Sequence, residues 1–370
     1  MKAGQVGAAL AVGMGIGRFV YTPILPLMQA QAGMSATTGA HLATANYVGY
    51  LIGALIAIVV PRSQLVLRLA LLTLIATLAL MPAGGWLVLR LLAGIASALI
   101  FVIATSALLH SPAHHLIGWA LGGIGAGIAL SGLAVLIIHT WQDAWWTAAA
   151  LSLAIAVPAW QLRPSGETTQ PSQVAANSPR WFGALLVSYS LEGVGYVIAG
   201  TFLVAAINQT TTGPIGSTAW VLVGLAAIPS TALWAWLSRT WSRPTLLVTA
   251  LILQAIGLAL PVLSGGTIPA LLSATLFGAT FLGICGMTLA IGAHLQVPRA
   301  VAILTTGYSI GQIIGPLAVT PLLHNGYHQA LLIAAAIVTL AAVAAGALRH
   351  HFPHHLGPLP SRVHLKELQA

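Results

Sequence analysis

The chain has 370 residues, of which 58% are hydrophobic and 5% charged, with a mean hydropathy of +0.95. A soluble domain carries about 25% charged residues, so this chain cannot cover a water-facing surface and its solvent is largely lipid. The net charge of +9 comes from thirteen Lys and Arg scattered along the chain, with no basic patch interleaved with aromatics, which excludes nucleic-acid binding; one cysteine, Cys285, excludes an internal disulfide framework and reads as a small buried apolar residue.

A span needs about 20 apolar residues. On that ruler the sequence predicts helices near 5–29, 39–60, 64–82, 85–109, 116–138, 142–162, 181–208, 216–238, 244–264, 268–293, 298–323 and 326–349. The first stretch follows Lys2 and runs on to Met28 with no small-residue cleavage site, so it reads as an uncleaved span. Breaks fall at Pro61-Arg62-Ser63, Pro82 to Gly85, Ser111-Pro112, Thr212-Gly213-Pro214, Ser264-Gly265-Gly266 and Pro298-Arg299. The polar segment 163–180, rich in Pro and Ser, divides a six-helix unit over 1–162 from a second over 181–352, and a polar tail covers 353–370.

Counting loops from the N-terminus, one side carries Lys2, Arg62, Arg68, Arg163, Arg180, Arg239, Arg243, Arg299, Arg349, Arg362 and Lys366. Only Arg18 and Arg90 fall inside spans. That split predicts that both termini are cytoplasmic. The halves repeat: Gly94, His110, Gly123, Gly127, Leu133, Ala134 and Val135 recur 184 positions later as Gly278, His294, Gly307, Gly311, Leu317, Ala318 and Val319. The expected fold is therefore an all-α polytopic membrane protein of about twelve spans in two pseudo-symmetric bundles, a plan used by transporters. Glycines four residues apart (Gly13/Gly17, Gly49/Gly53, Gly123/Gly127 and Gly307/Gly311/Gly315) mark helix faces where backbones approach. Close packing and a smooth face for rocking both fit that spacing.

Of the acidic residues Asp143, Glu167, Glu192 and Glu367, only Glu192 lies deep in a span. A charge at the bilayer centre costs on the order of 2.5–3.5 kcal/mol on insertion scales. Arg18 lies about 20 Å into helix 1 and Glu192 about 17 Å into helix 7 at about 1.5 Å per residue. The expectation is that they face one cavity and can pair, as a substrate or proton site or as a structural bridge. Ser188, Tyr189 and Tyr196 share the face of Glu192. Tyr21 and Thr22 follow Arg18, helix 2 offers Asn46, Tyr47 and Tyr50, and helix 11 offers Tyr308 and Gln312. Arg90, near the outer end of helix 4, is placed to snorkel outward. Trp141, Trp145 and Trp146 read as interfacial anchors.

Other chemistries fail. Gly307-Tyr308-Ser309-Ile310-Gly311 matches a hydrolase elbow pattern but lies mid-span. With Lys2 and Lys366 the only lysines, no P-loop can form. The histidine-rich tail, His350, His351, His354, His355 and His364, reads as solvated rather than metal-binding, and no metal or other cofactor is expected.

Gly15 to Pro26 (GIGRFVYTPILP), then Asn46-Tyr47-Val48-Gly49-Tyr50, Leu191 to Tyr196 and Gly200-Thr201-Phe202 together resemble the YbfB/YjiJ branch of the major facilitator superfamily, over essentially the whole chain. The resemblance implies a 6+6 bundle, a bacterial inner membrane and alternating access. It aligns Arg90 and Gly94 with the superfamily's helix 4 motif, whose arginine is linked to proton coupling in antiporter branches. In the loop between helices 2 and 3 only Pro61, Arg62 and Arg68 remain of the superfamily's charged motif, with no acid. The expected function is secondary transport of a small organic molecule by a monomer, coupled to protons. Glu192 would be the protonated site and Arg18 its partner or an anion-binding group. The alternatives are a non-transporting membrane sensor or assembly partner, and an uncoupled facilitator; an enzyme is not expected.

Overall fold

Apolar runs of this length leave the backbone no partner but itself, so each closes into a helix. The computed structural model describes residues 2–164, 179–350 and 352, and among these the chain forms twelve long helices and no strand. They are α1 Lys2–Ala32, α2 Ala36–Val59, α3 Gln64–Leu80, α4 Trp86–Leu109, α5 Ile117–Ile137, α6 Trp141–Trp160, α7 Pro179–Thr210, α8 Ile215–Leu237, α9 Arg243–Leu263, α10 Thr267–His294, α11 Ala300–Val319 and α12 His328–Gly346. All but α6 are long and apolar enough to cross a membrane. Helix α6 falls below that hydropathy because its first two turns carry Trp141, Gln142, Asp143, Trp145 and Trp146. Most of the predicted linker and all of the tail 353–370, with Glu167, Glu367, His351, His354, His355 and His364, lie outside the described residues.

Helix ends fall at the predicted breakers, and side chains cap several starts. Ser35, Ser63, Thr140 and Ser242 each accept from a backbone N–H three residues on. The turns at Gly84-Gly85 and Gly265-Gly266 run at φ of 100°, 70°, 59° and 79°, a region closed to most side chains.

The repeated glycines occupy equivalent crossings in the two halves. Gly123 and Gly127 of α5 press on the α1 backbone at Gly7, Ala11 and Gly15, while Gly307 and Gly311 of α11 press on α7 at Ser190 and Val194. Gly94 of α4 abuts Asn46 and Tyr50 of α2, and its counterpart Gly278 of α10 abuts Val223 of α8. The sequence repeat is thus a repeat of helix contacts. Between the halves, α5 lies on α8 through Gly122, Gly125, Gly132 and Gly224. Side-chain hydrogen bonds also cross: Arg18 to Gln312, Thr22 to Gly200, Gln29 to Tyr327, Tyr47 with Thr201, and Trp220 to Ser131.

Outward faces are apolar, as lipid requires: Ile58 is 74% exposed, Ile137 77% and Ile268 79%. Of the tryptophans expected as anchors, only Trp146 is exposed. Trp145 is fully buried against Tyr21, and Trp141 is buried against Trp86. Indole faces suit the α1–α6 and α4–α6 contacts as well as an interface.

Candidate functional site

Helix α1 does not run straight through. It is α-helical over Lys2–Leu10, widens to a π turn over Ala11–Ile16 and resumes over Tyr21–Ala32. Gly13 and Gly15 weaken the π turn and Gly17 the residues that follow it. Pro23 shapes the resumed helix: it has no N–H for the Phe19 carbonyl, and Thr22 N donates there instead, at 3.2 Å. The Arg18 carbonyl is left open at the middle of the bundle. Arg90 fills the gap, its Nη2 donating to Arg18 O at 3.2 Å and its Nη1 to Gly17 O at 3.3 Å. Its guanidinium lies 4.9 Å from the Tyr21 ring. Arg90 is buried and turned inward, so the expected outward snorkelling is corrected. Asn46 serves the same joint, donating to Arg90 O at 2.9 Å, and Tyr21 donates to Gly39 O at 2.9 Å. Gly94, one turn on, lets α2 approach closely enough for that bond.

The break presents Arg18 to the seam between the halves. Its guanidinium sits 4.2 Å from the Tyr50 ring, 5.1 Å from Tyr47 and 5.6 Å from Phe19. Its Nη2 donates to Gln312 Oε1 of α11 at 3.1 Å, Nη1 reaches Met14 Sδ at 3.9 Å, and Nε has no partner. Phe19 then packs on Tyr196, Trp220 and Phe281 of the other half.

Glu192 is fully buried on α7. Its Oε1 accepts from Gln254 Nε2 of α9 at 3.4 Å, while its Oε2 is unpartnered. The direct Arg18–Glu192 pair expected from depth is therefore not made: each group bonds an amide on a different helix. Tyr189 and Tyr196 flank Glu192, and Tyr308 stacks at 4.3 Å on Tyr189 and 5.8 Å from Tyr196. Cys285 is half-buried and its thiol donates to Tyr308 Oη at 3.6 Å, so it lines this polar layer rather than plain core. Tyr308 and Gln312 stand one turn apart on α11, which links the surroundings of Glu192 to Arg18.

A family comparison matches residues 10–346 to the family described as uncharacterised MFS-type transporter YbfB. The chain belongs to that family. No curated protein matches it at a significant level. It is thus a multi-pass membrane protein of an MFS-type transporter family, a transporter class rather than an enzyme class. Ser309, at the centre of the elbow-like pattern, is a buried residue of α11.

For an MFS-type transporter, the sequence reading missed Gln254. The signal was a lone amide within Leu251-Ile252-Leu253-Gln254-Ala255-Ile256. Among the described residues no three His, Cys, Asp or Glu side chains come together to hold a metal ion. Gln254→Leu strips Glu192 of the hydrogen bond across to α9, at about 1–3 kcal/mol for an unsatisfied buried group. The expected result is a lower unfolding midpoint in detergent, with Gln254→Glu worse than Gln254→Leu because it buries a second acid beside the first; equal midpoints for all three proteins would count against the pairing.

Proposed function

We propose that the chain is a secondary active transporter that moves a small organic molecule across the bacterial cytoplasmic membrane by alternating access, coupled to protons. Units 1–162 and 181–352 are the two moving bundles, 163–180 joins them, and the termini with the tail 353–370 lie on the cytoplasmic side, in a monomer. The observation that carries this reading is the broken α1, which sets a buried cation on the seam between the halves and bonds it across that seam to Gln312. Irregular backbone at membrane depth is tolerated where a site is built.

Glu192 is the proton site. It is the single carboxyl buried in the described spans, and one of its oxygens has no partner. Such a group is held most cheaply as the neutral acid, and ionises when the surrounding helices rearrange to hydrate it. Arg18 is the substrate site, and it makes no salt bridge with Glu192: each bonds an amide instead. A scheme in which proton and substrate compete for one ion pair would need that pair to form, and here it does not. The two sites instead communicate through α11, which carries Tyr308 near one and Gln312 at the other.

The test is dye-reported proton movement in sealed proteoliposomes while a library of small solutes is added. A solute-triggered proton signal in the wild-type protein supports coupled transport. Solute movement without protons would reduce the protein to a facilitator, and movement of no solute would favour the sensor reading.

A further inference from the structure

We infer that the substrate is an organic acid, held through its carboxylate by Arg18. The inference rests on the transporter reading above and deepens it. A guanidinium has five N–H donors in a planar fork. At Arg18 the bonds made go to neutral acceptors, an amide oxygen and a thioether, and Nε has none. No carboxylate among the described residues balances it. Asp143 is exposed at the start of α6 and bonded to Thr140, and Glu192 is turned to Gln254. Arg90 also has an unpartnered Nε, but both of its Nη groups are taken up by main-chain carbonyls of the α1 break, whereas one of Arg18's meets only a thioether.

Three rings stand within 4.2, 5.1 and 5.6 Å of the guanidinium, and its Nε has no protein partner. An aromatic cage alone would select a cation, but here the cage is already filled by one. What remains to be bound is negative, and a carboxylate matches the fork with two parallel bonds. The aromatic walls favour an apolar body on that carboxylate over a fully hydrated inorganic anion. The two sites then make electrical sense together. Bringing an anion into a negative-inside cell opposes about 2.3 kcal/mol per charge per 100 mV, and one proton carried on Glu192 cancels that charge.

The experiment is thermal unfolding of the purified protein with benzoate, phenylacetate and butyrate, each beside its carboxamide, with benzylamine as the cationic control. At least one acid is expected to raise the midpoint saturably while its amide and benzylamine do not. Arg18→Gln should abolish the shift, and Arg18→Lys, which keeps the charge without the fork, should weaken apparent affinity at least about tenfold. Equal shifts by acid and amide, a shift by benzylamine, a shift surviving in Arg18→Gln, or no shift with any acid would each overturn the inference. The acid–amide contrast in the wild-type protein holds even if a variant misfolds. A neutral or cationic solute driving flux in proteoliposomes would sink the organic-acid inference and leave the transporter reading intact; movement of no solute would sink the transporter reading itself.

Discussion

Arg90→Ala is expected to abolish transport and to lower stability by about 1–3 kcal/mol. The lower figure is twice the average of about 0.6 kcal/mol measured for hydrogen bonds between membrane helices, and the upper is twice their maximum of about 1.7. The upper end applies here because Thr22 N, the donor a regular helix would give to Arg18 O, is committed to Phe19 O. In an ordinary helix the next turn would supply the N–H. Arg90→Lys is expected to rescue little, since an ammonium on a flexible stem does not bridge two carbonyls as a planar fork does. Unfolding in mixed micelles gives the stability change, and flux into proteoliposomes gives the activity. Full rescue by lysine would show that Arg90 acts by charge alone.

The second large effect is at the seam. A Cβ at Gly125 of α5 would lie 2.6 Å from the Gly224 oxygen and 2.6 Å from Ile228 N of α8, both backbone atoms that cannot turn aside. Gly125→Ala should therefore part the two halves there, at about 1–3 kcal/mol for overpacking, on the order of tenfold to a hundredfold in the equilibrium between conformations. Gly118, two turns before on the same helix, would meet Ala232 at an ordinary 3.5 Å, so Gly118→Ala should leave transport near the wild-type level. Flux and crosslinking between α5 and α8 measure both. If the two substitutions behave alike, the glycine seam is not the surface on which the bundles move.

Helices and their boundaries were legible because lipid imposes length and hydropathy, and because Pro, Gly and capping Ser mark the ends. The repeat was legible too, down to the glycine crossings, since a missing side chain at Gly94 and Gly278 has the same packing consequence in both halves. Which way the buried charges point was not. Position along a span gives an expected height, but direction around the helix depends on every residue before it. The π turn at Ala11–Ile16 adds a residue to a turn, and one residue rotates a face by about 100°. Arg18 therefore meets Gln312, and Glu192 meets Gln254 on a helix where sequence reasoning sought no partner. The inward turn of Arg90 was hidden for a related reason: the Arg18 carbonyl it binds is free because Pro23, with no N–H, leaves Phe19 O to Thr22 N.

The separation of the two sites makes one measurement the most direct. In proteoliposomes loaded with the solute identified by proton movement, Glu192→Gln should still exchange labelled for unlabelled solute. It keeps the amide-compatible contact with Gln254 and leaves Arg18 with Gln312 untouched. It should no longer accumulate solute when a proton gradient is imposed. Exchange preserved with accumulation lost is the predicted result; loss of both together, or accumulation at the wild-type level, would contradict a proton site on Glu192 distinct from a substrate site on Arg18.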